Sequence, residues 1–256
     1  MVRVRLALML AVGMVLVGAA GAWCAEQPPA EKKFEEDIIK TPAGDLKITF
    51  LGHATLMFTY RNKVIHVDPV GSKEVDYATL PKADIILITH EHGDHLDPKA
   101  VSLIRKGGTE ILLTRACSEK VPGGTIIKNG DVLTVQGFKI EAVRAYNLVH
   151  RRPDNRQPFH PKNVGNGYVL NLDQTRVYVA GDTENTPEMK LLTKIDIAFL
   201  PMNLPYTMTP EMVADAAKAF QPKILYPYHF GQTDPNILVN LLKDLKTTQV
   251  RVRKMK

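Results

Sequence analysis

Residues 89–98 read THEHGDHLDP, with three histidines, two aspartates and a glutamate in ten positions, directly after the apolar run at 85–88. The whole chain has 8 histidines in 256 residues, so this clustering needs a physical reason. Gathered imidazoles and carboxylates are costly unless something neutralises the acids and engages the ring lone pairs, and a divalent cation does both. Positions i and i+2 of an extended segment point the same way, which lets His90 and His92 grip one ion. Gly93 then permits a sharp turn, after which Asp94 and His95 can face a second ion nearby. Nitrogen and carboxylate donors without a thiolate suit zinc first, with manganese, iron and nickel as alternatives. The helical motif H-E-x-x-H is not met, because Asp94 stands where its second histidine belongs.

Outward from this stretch, β-type runs are expected at 46–51, 56–60, 63–67 and 85–88, with Arg61-Asn62 suited to a tight hairpin. Asp97-Pro98 sets a capping side chain ahead of a proline at the first helical position, opening a short helix that Gly107-Gly108 stops. A second β-rich group follows at 110–113, 132–135, 138–145, 168–172 and 176–180. Strand-like 197–200 leads to a helix capped at Thr209-Pro210 and reaching Phe220. Strand-like 224–226 leads to another, capped at Asp234-Pro235 and reaching Leu245. No internal repeat is visible in the sequence. Two sets of strands, each followed by helices, point to an α/β sandwich of two sheets with helices outside.

The first 25 residues have the layout of a secretory signal: Arg3 and Arg5, an apolar run at 6–20, then small residues near a cut. Export to the periplasm or the exterior is the expectation, with no stable membrane span after cleavage. Lipid attachment at Cys24 is disfavoured by the bulk of Trp23 before it. Residues 26–43 read as a linker or loosely held arm, and 44–256 as a single domain. The formal net charge of +6 includes the two signal arginines, and the rest is mild and dispersed, so no nucleic-acid partner is expected. Of the two cysteines only Cys117 lies beyond the signal, so no disulfide staples the fold.

The string T-H-x-H-x-D-H at 89–95 resembles the metal motif of the metallo-β-lactamase superfamily. Gly181-Asp182-Thr183 is similar to that family's segment with a metal-bridging aspartate, and Pro227-Tyr228-His229 to its last histidine motif. The resemblance spans 46–252 and implies a four-layer αββα sandwich. A narrower resemblance, to ascorbate-phosphate lactonases and N-acyl phosphatidylethanolamine phospholipase D enzymes, rests on LGHAT at 51–55, VDP at 67–69 and PYTM at 205–208. The family also implies a third histidine on the first ion. His160 is preferred to His150 for its framing ahead of the next strand, while Asn147 occupies a place where some relatives carry that histidine.

So read, His90, His92 and His160 hold one ion, Asp94, His95 and His229 the other, with Asp182 between. The resemblance implies a hydrolase, exported if the leader reading holds, whose metal-bound hydroxide attacks an ester, lactone or phosphodiester bond, with Asp94 as proton shuttle. Asp68 is expected to accept the free ring N–H of a metal-bound histidine. His53 and Tyr206 are expected at the substrate pocket. The substrate is a small molecule, and the Arg-rich stretch 146–163 reads either as selecting an anion or as a solvated flap. The alternative function is a non-catalytic, metal-loaded binding protein of the envelope.

Overall fold

The computed structural model describes residues 34–255. The signal reading of 1–25 and the first part of the linker lie outside them. Among the described residues, no helix is long and apolar enough to cross a membrane.

One seven-stranded sheet runs in chain order through β1 (Glu35–Thr41), β2 (Gly44–Gly52), β3 (Thr55–Tyr60), β4 (Lys63–Val67), β5 (Ile85–Leu87), β6 (Glu110–Leu113) and β7 (Thr125–Ile126). The other holds β8 (Val132–Val135), β9 (Phe138–Ala145), β10 (Gly165–Leu172), β11 (Thr175–Val179), β12 (Ile197–Pro201), β13 (Ile224–Tyr228) and β14 (Gln249–Val250). In each sheet the first four strands pair antiparallel and the remaining three add on parallel. The sequence shows no repeat, yet the strand plan is carried out twice. Ligands gather beyond the carboxyl ends of parallel strands, where connections diverge, and here β4, β5, β11 and β13 all end toward the same region.

Alternation along the strands sorts the core. Ile85 and Leu87 of β5 face the second sheet, whereas Ile86 and Ile88 face α1 (Pro98–Ile104). Across the second sheet, α3 (Pro210–Phe220) lays Val213, Ala214, Ala217 and Phe220 on the core. α2 (Pro187–Lys190) and α4 (Pro235–Leu241) complete the outer layers. The αββα sandwich is therefore present. Among the described residues, all four α-helices start at a Thr-Pro or Asp-Pro pair whose side-chain oxygen accepts a backbone N–H, each cap contributing about 1 kcal/mol. Two hairpins use left-handed pairs, Arg61-Asn62 (φ 47° and 63°) and Gln136-Gly137 (φ 49° and 87°), which match the strand twist.

Three expectations need correction. Residues 35–41, read as linker or arm, form an edge strand paired with β2 from Glu35↔Phe50 to Thr41↔Gly44. Their polarity hid them: edge strands keep charges that discourage further pairing. Asp37 also ties them to Arg253 in the C-terminal segment at 2.8 Å and to the Tyr226 hydroxyl of β13. The first helix ends at Ile104, with Arg105 already extended, and the last at Leu241.

Candidate metal centre

Asp68 begins the site. It follows β4 with φ 46° and is fully buried. Its Oδ1 accepts the Thr89 backbone N–H at 2.8 Å, and its Oδ2 accepts the Thr89 hydroxyl at 2.7 Å. The same Oδ2 lies 2.7 Å from His95 Nδ1, so that ring donates its Nδ1 proton there. The Thr89 hydroxyl spends its proton on Asp68 and can then only accept from His90 Nδ1, 3.0 Å away. One carboxylate thus fixes two tautomers, leaving the Nε2 lone pairs of His90 and His95 aimed inward.

Those rings meet residues from the second sheet. Asp182, buried just after β11, places Oδ2 3.2 Å from His160 Nε2 and 3.9 Å from His90 Nε2. Its Oδ1 lies 3.3 Å from His95 Nε2 and 3.5 Å from His229 Nε2. Gly181 makes this placement possible: at φ 65° an added Cβ would lie 2.8 Å from Asn166 O and 3.0 Å from Thr89 Cβ. His92 Nδ1 stands 3.1 Å from His90 Nε2. Asp94, half exposed, lies 3.3 Å from His229 Nε2 and 3.2 Å from His53 Nε2. His53 and His229 both hold left-handed backbone at φ 49°, and His229 N–H donates to His53 O at 3.0 Å. Such conformations cost about 1–3 kcal/mol each and persist only where the surroundings enforce them.

His160, the preferred third histidine, is in the cluster and His150 is not. The His160 ring donates from Nδ1 to Asn147 Oδ1 at 2.6 Å, and its backbone N–H reaches the same oxygen at 3.0 Å. His150 Nδ1 instead donates to Glu184 Oε1 at 2.8 Å. Asn147 therefore orients a site histidine from behind. Tyr206 stands at the mouth, its ring against Phe159 and its backbone oxygen accepting from Asn147 Nδ2 at 2.9 Å.

Two residues that sequence reading missed hold this arrangement. Thr89, inside the quoted stretch, is the link between Asp68 and His90. Glu184, fully buried two residues beyond Asp182, accepts the N–H groups of Leu148, Val149 and His150 at 2.7 Å each and the Asn147 amide at 3.0 Å. Nothing near Glu184 in the sequence points to the groups it holds, which lie 34–37 positions upstream.

Charge follows geometry. Burial opposes ionisation of Asp182, yet the imidazoles of His229 and His95 hold its carboxyl well below the usual range. Burial disfavours the charged form of His95, and Asp182 and Asp68 favour it more strongly, holding the ring well above its ordinary value; a bound cation would take the place of that Nε2 proton. Burial, then the neighbouring His95, push His90 well down. Three groupings are close enough for one ion each: His53, Asp94, His95 and His229; His90, His92 and His160; His90, His95 and Asp182. His95 Nε2 and Asp182 Oδ1 are buried without a hydrogen-bond partner. Unpartnered buried acceptors turned toward each other are what a cation would satisfy, so the residues fit a metal.

Asp68→Asn should keep the shape but lose the charge that aims the rings. Metal affinity is expected to fall about 10- to 100-fold, read by competition with a chromogenic chelator. Unchanged affinity would remove Asp68 from the site's support.

Comparison with known proteins identifies the family. The Beta-lactamase superfamily domain model matches residues 47–229. A UPF0173 metal-dependent hydrolase of Thermococcus onnurineus is 33% identical over 204 residues, 74% of this chain and 87% of that protein. One from Flavobacterium johnsoniae is 33% identical over 201 residues, covering 72% and 84%. Among solved structures, a protein of Parabacteroides distasonis described as a metal-dependent hydrolase superposes with TM-score 0.82 at 52% identity, over 87% of this chain and all of that one. Igni18, a metallo hydrolase of Ignicoccus hospitalis, gives 0.67 at 25% identity over 82% and 95%.

Proposed function

This chain belongs to the β-lactamase superfamily and is a metal-dependent hydrolase of the metallo-β-lactamase fold, and from that premise we propose an exported enzyme with two zinc ions. His90, His92 and His160 would hold one, Asp94, His95 and His229 the other, with Asp182 between them. When bound, such ions polarise a substrate oxygen and bring the ionisation of a water molecule near neutral pH. The substrate bond is an ester, lactone or phosphodiester. Export rests on the basic, apolar and small-residue sequence of 1–25.

The chain's own residues divide the remaining work. Asp68, through Thr89, and Asn147 hold the imidazoles by their outer nitrogens, so little reorganisation is needed when substrate arrives. Asp94 Oδ2, half exposed and 3.2 Å from His53 Nε2, is placed to take up a proton and pass it toward solvent.

One observation carries the reading: the two oxygens of Asp182 address different histidine sets. Protein purified without chelators should contain about two zinc ions per chain by mass spectrometry. It should turn over members of an ester, lactone and phosphodiester panel, and lose that rate on chelation and regain it with zinc. Turnover that survives complete metal removal would overturn the proposal. A metal-loaded protein inert across the panel would favour a binding protein instead.

A further inference from the structure

The loop between β9 and β10 carries three arginines, and the structure separates them. It doubles back on itself: Asn147 N–H donates to His160 O at 2.9 Å, Arg152 N–H to Gln157 O at 2.8 Å, and Arg151 bridges to Pro158. Arg151 and Arg156 are exposed at its outer part, with Arg151 Nη1 donating to Arg156 O. Arg152 is half buried. Its guanidinium lies 5.6 Å from the centre of the Phe159 ring, and Nη2 donates to Phe159 O at 3.4 Å. Phe159 in turn packs edge-on against Tyr206, ring centres 5.0 Å apart.

Arg152 lines the cavity of about 440 Å³ that also contains Asp94, Asp182 and His229. That volume suits a small molecule. Among the described residues the Arg152 guanidinium forms no ion pair, although most other half-buried arginines here do, as Arg176 with Glu141 and Arg253 with Asp37. The loop that presents it is not slack, because Glu184 takes its backbone N–H groups at 148–150. A held, stacked guanidinium with donors to spare, inside a hydrolytic cavity, is a fitted receptor for an oxyanion.

We propose that Arg152 selects substrates bearing an anionic group, a carboxylate or a phosphate, apart from the bond that is cleaved. The assignment rests on the hydrolase reading of the same cavity and deepens it. It excludes Arg151 and Arg156 from that role.

The test compares the zinc-loaded wild-type protein with Arg152→Gln, using 4-nitrophenyl acetate as the neutral ester and the 4-nitrophenyl monoester of succinate as the anionic one. The ratio of kcat/KM for the anionic over the neutral ester should fall about 10- to 100-fold in the variant, the scale of a charge-assisted contact. Arg152→Lys should recover part of it. Calorimetric titration with succinate and with inorganic phosphate should show binding about tenfold or more weaker in Arg152→Gln, at equal zinc content. The anion that loses more identifies the preferred group. Equal ratios and equal titrations in both proteins would overturn the assignment. If wild-type protein cleaves neither ester, the ester reading fails separately, and the titration alone decides the anion site.

Discussion

Asp182→Ala is expected to strip the centre of both metals and to reduce turnover by about three orders of magnitude or more. The residue is buried, and each of its oxygens stands within 3.5 Å of a ring nitrogen from a different histidine set. Loss of a shared ligand therefore weakens two positions at once. Lewis-acid stabilisation is worth several kcal/mol, and each 1.4 kcal/mol is tenfold in rate. Asp182→Asn keeps the volume but offers only one good acceptor oxygen, so it should retain one metal position better than the other. Metal content by mass spectrometry, with kcat on the best panel substrate, reads both effects. A fully loaded, fully active Asp182→Ala protein would mean that the aspartate bridges nothing.

The second large effect is expected at Glu184, and it concerns stability first. Glu184→Ala leaves the N–H groups of Leu148, Val149 and His150, together with the Asn147 amide, without their shared acceptor. A buried donor without a partner costs about 1–3 kcal/mol. Water entering the loosened loop caps the total at about 3–5 kcal/mol, or roughly a 10 °C lower unfolding midpoint. Loosening does not stop there, because Asn147 orients His160, so metal affinity should fall too. Hydrogen exchange at 148–150 should accelerate well beyond the rest of the chain. Burial opposes ionisation of Glu184, but the His150 N–H and the Asn147 amide hold its pKa below the ordinary carboxylate value. Its contribution is therefore complete above that ordinary value and lost as pH falls through the lower, folded one. The gap between wild type and variant should shrink in acid. A variant as stable as wild type, with unchanged exchange at 148–150, would refute the clamp.

How much could be read beforehand depended on whether a residue's partner is local. His90, His92, Asp94 and His95 declare themselves because one short segment carries them all. The helix starts at Asp97, Thr209 and Asp234 were legible for the same reason, since cap and proline are adjacent. β1 was not, because its pairing with β2 is spread along a polar edge. Asp68 was legible as support for a metal-bound histidine, but not for which one, as its partners Thr89 and His95 lie more than twenty positions away. Glu184 was invisible in practice: what it holds lies 34–37 positions upstream, and nothing near it in sequence hints at that debt. The repeated strand plan escaped too, because the pairing order recurs without any matching run of side chains.

The centre draws on both sheets almost evenly. His90, His92 and His95 follow β5, whereas His160, Asp182 and His229 belong to the second sheet's loops. Hydrogen bonds from Asn166 N–H to Thr89 O and from the Tyr168 hydroxyl to Ile88 O already join the two at that rim. A cation seated there acts as a rivet through two plates: the halves cannot part without releasing it. Mass action then makes the folded fraction of the chain a function of metal supply, so scarcity would thin the population of intact molecules as well as idle the ones that remain.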